Sequence, residues 1–432
     1  MELNAILGTY SPSLFAMKIN TEANIGELNK LSGQDLATFF HEYFHFLQDV
    51  TSAFTYTMMW NRYASIIDIV AFLQQSKEKI KVPLVQTEYF LNIHENQIFM
   101  DAVLRDESPR FPTAEQNENL KITNITVARH PKFPDLEVNK TAKLVKLDLE
   151  NENGVAGEYW FGALAILETM THLIEKKFFG PKTSPTYPYL AAIVLANYKN
   201  PIIGSNEENV FVLCDLALQT QFPGLTFLQL LDLFYDVKTP IASEEVYKLG
   251  VKFLDRKGAI IEDFLHYKNK VEANVAQIYG HDVFKHNLNW FREIMKVGFQ
   301  LRTEKPHFML DIYRQNGLFE EPFNTIFKQL GTPTISNILN QRWFTPPQSL
   351  IHLHDQIHTL FLNAFSHLQN VLLVGAKQCP LLGHCLASDI DMPIDKNCDE
   401  SPWKKIGQEP LCPFTAAWVS FGLKTEMLEF PS

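Results

Sequence analysis

Residues 38–49, TFFHEYFHFLQD, set His41 and His45 four positions apart in a run that is otherwise almost wholly aromatic or aliphatic. On an α-helix that spacing puts both imidazoles on one face, one turn apart. The flanking Phe39, Phe40, Phe44, Phe46 and Leu47 call for burial, and they take the two imidazoles and Glu42 inside with them. Buried polar groups need partners. A single divalent ion answers for both rings, because imidazole nitrogens one turn apart reach one zinc at about 2.0–2.1 Å each. Glu42 stands beside the first ligand, where it can take a proton from an activated water and pass it to a leaving amine.

A catalytic zinc takes a third protein ligand and keeps one position open. The best source is WFGALAILETMTHLIEK, residues 160–176, an apolar segment in which Glu168, His172 and Glu175 form a polar stripe at i, i+4 and i+7. Glu168 is the expected third ligand, since a buried carboxylate without a partner is costly and a nearby ion removes that cost. The other reading pairs Glu168 with a Lys or Arg elsewhere, or with His172. His172, one turn on, either replaces Glu168 as ligand or donates to the oxyanion of a tetrahedral intermediate; the second role is preferred. Asp49 is expected beside the ligands or on the helix surface.

With these residues the chain resembles the zincin metallopeptidases, in a gluzincin-like form, over one helix of its length. The resemblance implies that His41 and His45 are zinc ligands and that Glu42 is the general base. The metzincin extension does not fit: Gln48 and Thr51 stand where a Gly and a His belong. A ligand Glu about twenty residues after the motif does not fit either, because no Glu occurs between Glu42 and Glu78. Many gluzincins carry the third ligand on a separate helix after a variable insertion, which implies Glu168 here. The resemblance also implies a substrate bound as an added strand along a sheet edge, expected among the strand-like runs between 120 and 150.

Four of the five cysteines, Cys379, Cys385, Cys398 and Cys412, fall within 34 residues of a Pro- and Gly-bearing tail. Clustered thiols in a reducing compartment favour a metal over disulfides, and four thiolates suit a closed tetrahedral zinc. The expectation is a second, structural zinc, with His384 able to stand in for one cysteine; two disulfides or four unligated thiols are the alternatives. Cys214, alone in VFVLCDLAL, reads as a packed small hydrophobe.

The rest of the chain sets the frame. Ser32 with Asp35 reads as a helix start, and a helical pattern runs from about 33 to 75, broken near 51–57. Runs at 120–128, 142–150 and 155–161 alternate like strands of a small antiparallel sheet. The expected fold is α+β and mainly helical: a zincin-like core over 1–180, a helical region over 181–370 and a cysteine-rich, zinc-stapled segment over 371–432. With 46% hydrophobic residues in 432 the chain can bury a large core. A net charge of −11 excludes a phosphate backbone as partner. No secretory start or bilayer-length apolar run is evident, so a cytoplasmic protein without membrane contact is expected.

The function expected from these features is zinc-dependent hydrolysis of a protein or peptide substrate. Restraint would come from narrow specificity, a lid or a regulatory protein partner. One alternative is a catalytically inactive zincin-like module that keeps its metal for structure and binds a partner. A more distant one is an HD-type phosphohydrolase, resting on the His281–Asp282 and His354–Asp355 pairs with His358.

Overall fold

A computed structural model describes residues 7–84, 100–111 apart from 102, 105 and 107, 120–129, 143–181, 184–255, 259–357, 361–386, and 394–430 apart from 409. The chain is mixed α/β and mainly helical. Helix α1, Gly33–Thr51, carries the HExxH motif. Its start is fixed by Ser32, whose hydroxyl accepts from the Asp35 N–H at 3.1 Å and donates to the Asp35 carboxylate at 2.8 Å. Ser52 adopts extended backbone and ends the helix. Helix α2, Ala53–Gln75, begins at once. Hydroxyls supply the carbonyls at this break: Thr55 donates to Asp49 O at 2.9 Å and Tyr56 to Val50 O at 3.0 Å. The cluster of small and hydroxyl residues at 51–57 is thus what allows a bend without orphaned backbone.

Three sheets accompany the helices. The first has the order β1 (Gly8–Ser11), β2 (Ala16–Ile19), β7 (Thr334–Ser336), β8 (Arg342–Trp343). In it β1 and β2 form a hairpin, and β2 runs parallel to β7 with Ala16 opposite Thr334. The second pairs β3 (Ile80–Lys81) with β9 (Leu428–Glu429) in parallel. The third is the antiparallel meander β4 (Lys121–Ala128), β5 (Leu144–Glu150), β6 (Ala156–Phe161) expected from the alternation. Strands 334–336 and 342–343 interrupt a stretch that the sequence pattern assigned to helix. Their cause is local: Pro333 and the Pro346–Pro347 pair bracket them, and β-branched Thr334 and Ile335 are buried on the sheet. These pairings join the beginning, middle and end of the chain; most buried apolar side chains from Phe15 to Leu428 form one core, and Leu144 with Trp160 forms a small second cluster.

Helix α3, Ala163–Phe179, comes after β6 with a single residue, Gly162, between them, and packs along α1. Helix α4, Glu207–Ala217, supports α3 from behind, with Cys214 fully buried in it. Helix α5, Ala259–Ile278, lies on α2, and helix α6, Lys285–Glu304, crosses α1. Phe39, Phe44 and Phe46 of α1 are no more than 1% exposed, each contributing roughly 1.5–3 kcal/mol of transfer free energy. Two features of α6 set where α1 lies. A Cβ at Gly298 would overlap the Val50 carbonyl, so the backbones touch there. Arg302, buried, donates to Thr51 O at 3.0 Å and grips the equally buried Asp215 with two bonds of 2.9 Å.

Gly298→Ala tests this crossing. Alanine is the better helix former, yet the overlap with Val50 is expected to lower stability by about 1–3 kcal/mol. The measure is the urea midpoint; a midpoint equal to or above that of the unmodified chain would show that α1 and α6 are free to move apart.

Candidate metal centre

The polar stripes of α1 and α3 meet at the seam between the two helices. His41 Nε2 is 3.2 Å from Glu168 Oε2, and His45 Nε2 is 3.5 Å from Glu168 Oε1. The ligand atoms of His41, His45 and Glu168 lie within 4.8 Å of one another, the one such group of His, Cys, Asp or Glu found among the described residues. Tetrahedral bonds of about 2.05 Å hold ligand atoms about 3.3 Å apart, and the observed 3.2 and 3.5 Å bracket that spacing. The side chains are 12, 12 and 17% exposed, recessed but open to a small ligand.

The other ring nitrogens are already engaged. His41 Nδ1 is 3.2 Å from Glu175 Oε2. His45 Nδ1 is 2.8 Å from Gln48 Oε1, while the Gln48 amide donates to Leu167 O at 3.2 Å. With its amide nitrogen so used, Gln48 turns its oxygen to the ring, and an oxygen of this kind only accepts. His45 Nδ1–H therefore donates to Gln48 Oε1, which leaves Nε2 turned to Glu168 Oε1 at 3.5 Å, a gap that a proton or a metal ion can bridge. The donor set and its spacing fit a zinc ion.

Charge acts in the same direction. Burial works against a charged His41, but the bonds to Glu168 and Glu175, with the fields of Glu168 and Glu42, outweigh it and push the ring up to about 10. Burial likewise works to raise Glu168, yet the two imidazoles hold it well below the usual carboxylate range. Glu42 is 6% exposed. Burial raises its pKa, partly offset by His41 and His45, which makes it a stronger base than a surface glutamate.

Glu175 and Gln48, which orient the two rings, had no role assigned from the sequence. Their signals were present: Glu175 completes the stripe on α3, and Gln48 lies three residues beyond His45 on α1. Asp49 is not on the helix surface; it is 1% exposed and turns away to the N-terminal strand. It accepts from Tyr10 OH at 2.8 Å and from the Ser13 N–H at 2.7 Å. Burial, against those bonds and the nearby Arg62, pushes Asp49 up to about 7. The turn it holds contains two non-glycine residues of positive φ, Ser13 (65°) and Phe15 (48°). The result is that β1, the edge of its sheet, lies over the motif: a Cβ at Gly8 would come within 2.6 Å of Thr38 and 2.9 Å of Glu42 Oε1. Sequence reasoning looked for such an edge between 120 and 150; the strand set against Glu42 is Gly8–Ser11.

His172 is 4% exposed and is not one of the three converging residues. Burial lowers its pKa, and its Nδ1 is buried with no hydrogen-bond partner among the described residues. Tyr189 neighbours both imidazoles, its ring centroid 6.2 Å from that of His172 and 6.1 Å from that of His41. The four tail cysteines line one small cavity with Leu381 and Phe414, and all are free thiols. The side chain of Asp355 lies outside the described residues. His354 lies in a 3-10 helix, Gln348–Gln356, with its ring 3.0 Å from Phe344 O, and Asp282 opens a separate 3-10 turn. His358 and the side chain of His384 lie outside the described residues.

Glu175→Gln and Gln48→Ala are each expected to weaken zinc binding by about 10- to 100-fold with the fold intact, and Glu168→Gln to weaken it further. Competition against a chromophoric chelator reads this directly; unchanged affinity in both orienting variants would mean that the rings are held by something else. Compared with family models, curated proteins and solved structures, the chain matches none, and its functional reading rests on the geometry of this seam.

Proposed function

We propose that the chain is a zinc-dependent hydrolase of peptide bonds. The observation that carries this reading is the opposition of His45 Nε2 and Glu168 Oε1 across 3.5 Å, with the buried carboxylate of Glu42 near enough to feel the charge on both rings. Zinc held by His41, His45 and Glu168 would polarise a carbonyl and acidify a water molecule. Everything else falls to the chain's own groups. Glu175 and Gln48 hold the two ligand rings through their Nδ1 atoms. Glu42 takes the proton of the attacking water and delivers it to the departing amine; its raised basicity, set by burial, suits that exchange. His172, whose pKa burial lowers, and Tyr189 beside it are the groups that would donate a hydrogen bond to the carbonyl oxygen as it gains charge.

An extended peptide is the substrate best matched to the surroundings. The edge of β1 offers main-chain pairing, and its Gly8 comes against Glu42, so a strand laid on this edge passes over the base. A protein or peptide substrate, with access set by a regulatory partner, is the corresponding biology. No helix among the described residues is long and apolar enough to cross a membrane.

The test compares the intact chain with Glu42→Gln on unfolded protein substrates and by N-terminal profiling of cells carrying each form. Zinc is expected to remain in the variant while hydrolysis falls by about 10²- to 10⁴-fold. New N-termini in equal number with both forms would remove the enzyme and leave a metal-holding module that binds a partner.

A further inference from the structure

We propose that Cys379, Cys385, Cys398 and Cys412 hold a second zinc ion, which staples the C-terminal segment to the helical core. This inference is independent of the hydrolase reading. The four thiols come from separate local pieces. Cys379 lies in the turn after helix α7, Phe361–Val374, and Cys385 on the short helix Leu382–Leu386. Cys398 sits on Asn397–Glu400, and Cys412 caps Pro413–Ser420. Despite that scatter they line a single cavity of about 20 Å³, close to the room that one water-sized sphere needs. The Cys379 N–H donates to Cys398 O at 2.8 Å, so backbone contact already joins the first and third pieces.

The chemistry of the cavity selects its occupant. Among the described residues the remaining lining is apolar, Leu381, Leu382, Ile394, Pro413 and Phe414, with no carboxylate among it. A sulfur-only donor set takes zinc in preference to calcium or magnesium. None of the four is in a disulfide. No three of the sulfurs lie within 4.8 Å of one another, so binding draws them in to bonds of about 2.3 Å. In that step each S–H loses its proton to solvent, four Zn–S bonds form, and no electron changes hands.

The packing of the segment suits such a site. Between Cys379 and Cys412 the buried large apolar side chains among the described residues are Leu381 and Trp403, a small core to which a metal would add a staple. The chain beyond Cys412 is docked. Helix Pro413–Ser420 packs on α7, with Phe414 5.0 Å from the ring of His367; Gln74 of α2 donates to Phe421 O at 2.6 Å, and β9 pairs with β3. A tetrathiolate ion would close the loop between α7 and this docked end.

The experiment uses the full chain carrying His41→Ala and His45→Ala, so that only the cysteine site can hold metal. About one zinc per chain is expected by elemental analysis, released by a mercurial. Cobalt replacing it should show thiolate-to-metal charge-transfer absorption, lost in Cys398→Ser but kept in Cys214→Ser. Should the serine variant fail to fold, alkylation of the intact chain decides: zinc should shield Cys379, Cys385, Cys398 and Cys412, and a chelator should expose them together with new proteolytic cuts between 379 and 412. Absence of metal from the double-histidine protein, equal alkylation with and without zinc, or disulfides among the four would overturn the proposal. If the hydrolase reading alone fails, this zinc remains while Glu42→Gln changes nothing.

Discussion

Three carboxylates and two imidazoles share one seam between α1 and α3, and that excess of negative charge is what the rest of the molecule must accommodate. With both rings neutral, Glu42, Glu168 and Glu175 place three charges in a poorly hydrated space, a state that burial makes expensive. A proton on His41 relieves part of it, which is why that ring is pushed up to about 10. A divalent ion would relieve more, between His45 Nε2 and the Glu168 oxygen that face each other at 3.5 Å. Proton and metal would compete for the same atoms, so the seam is an electrostatic demand for a cation.

Meeting that demand requires helices that do not shift. Close contact at Gly298 and the buried Arg302–Asp215 pair fix α1 from the side opposite α3. Asp49, one turn beyond His45, holds the Ser13–Phe15 turn and through it the edge strand above Glu42. The motif helix thus has one face for the His41–His45–Glu168 group, one for its partner helix and a C-terminal turn that holds the strand above Glu42. Each assignment uses residues within 38–52, which explains how little of that stretch is exposed.

Much of this could be read from residues alone, and the limits were physical. His41, His45 and Glu42 were legible because a period of four inside an aromatic run leaves few ways to satisfy imidazoles. Glu168 was legible because a carboxylate in an apolar helix needs an opposite charge, and the structure brings it rather than His172 to the two rings. The meander at 121–161 came from alternation. Relations set by tertiary approach could not be read. Glycine at position 8 has no periodicity to announce it, and Asp49 offered no sign of which way it would turn. Strand 334–336 finds its partner more than 300 residues earlier, a pairing no local pattern encodes. The order of Glu168 and Glu175, one touching Nε2 and the other Nδ1 of the same ring, also depends on how α3 lies against α1.

The clasp around that ring reaches beyond the chemistry of a site. Glu168 and Glu175 are seven residues apart, about 10.5 Å along a helix axis, and they hold His41 from its two nitrogens. The ring behaves as a peg between two stops: sliding α3 forward presses one carboxylate away from it, and sliding backward withdraws the other. Alignment of the two helices is therefore indexed to a single imidazole. His41 and Glu168 thus belong both to the group that could hold a metal and to the contact that sets which helix pairing the chain adopts.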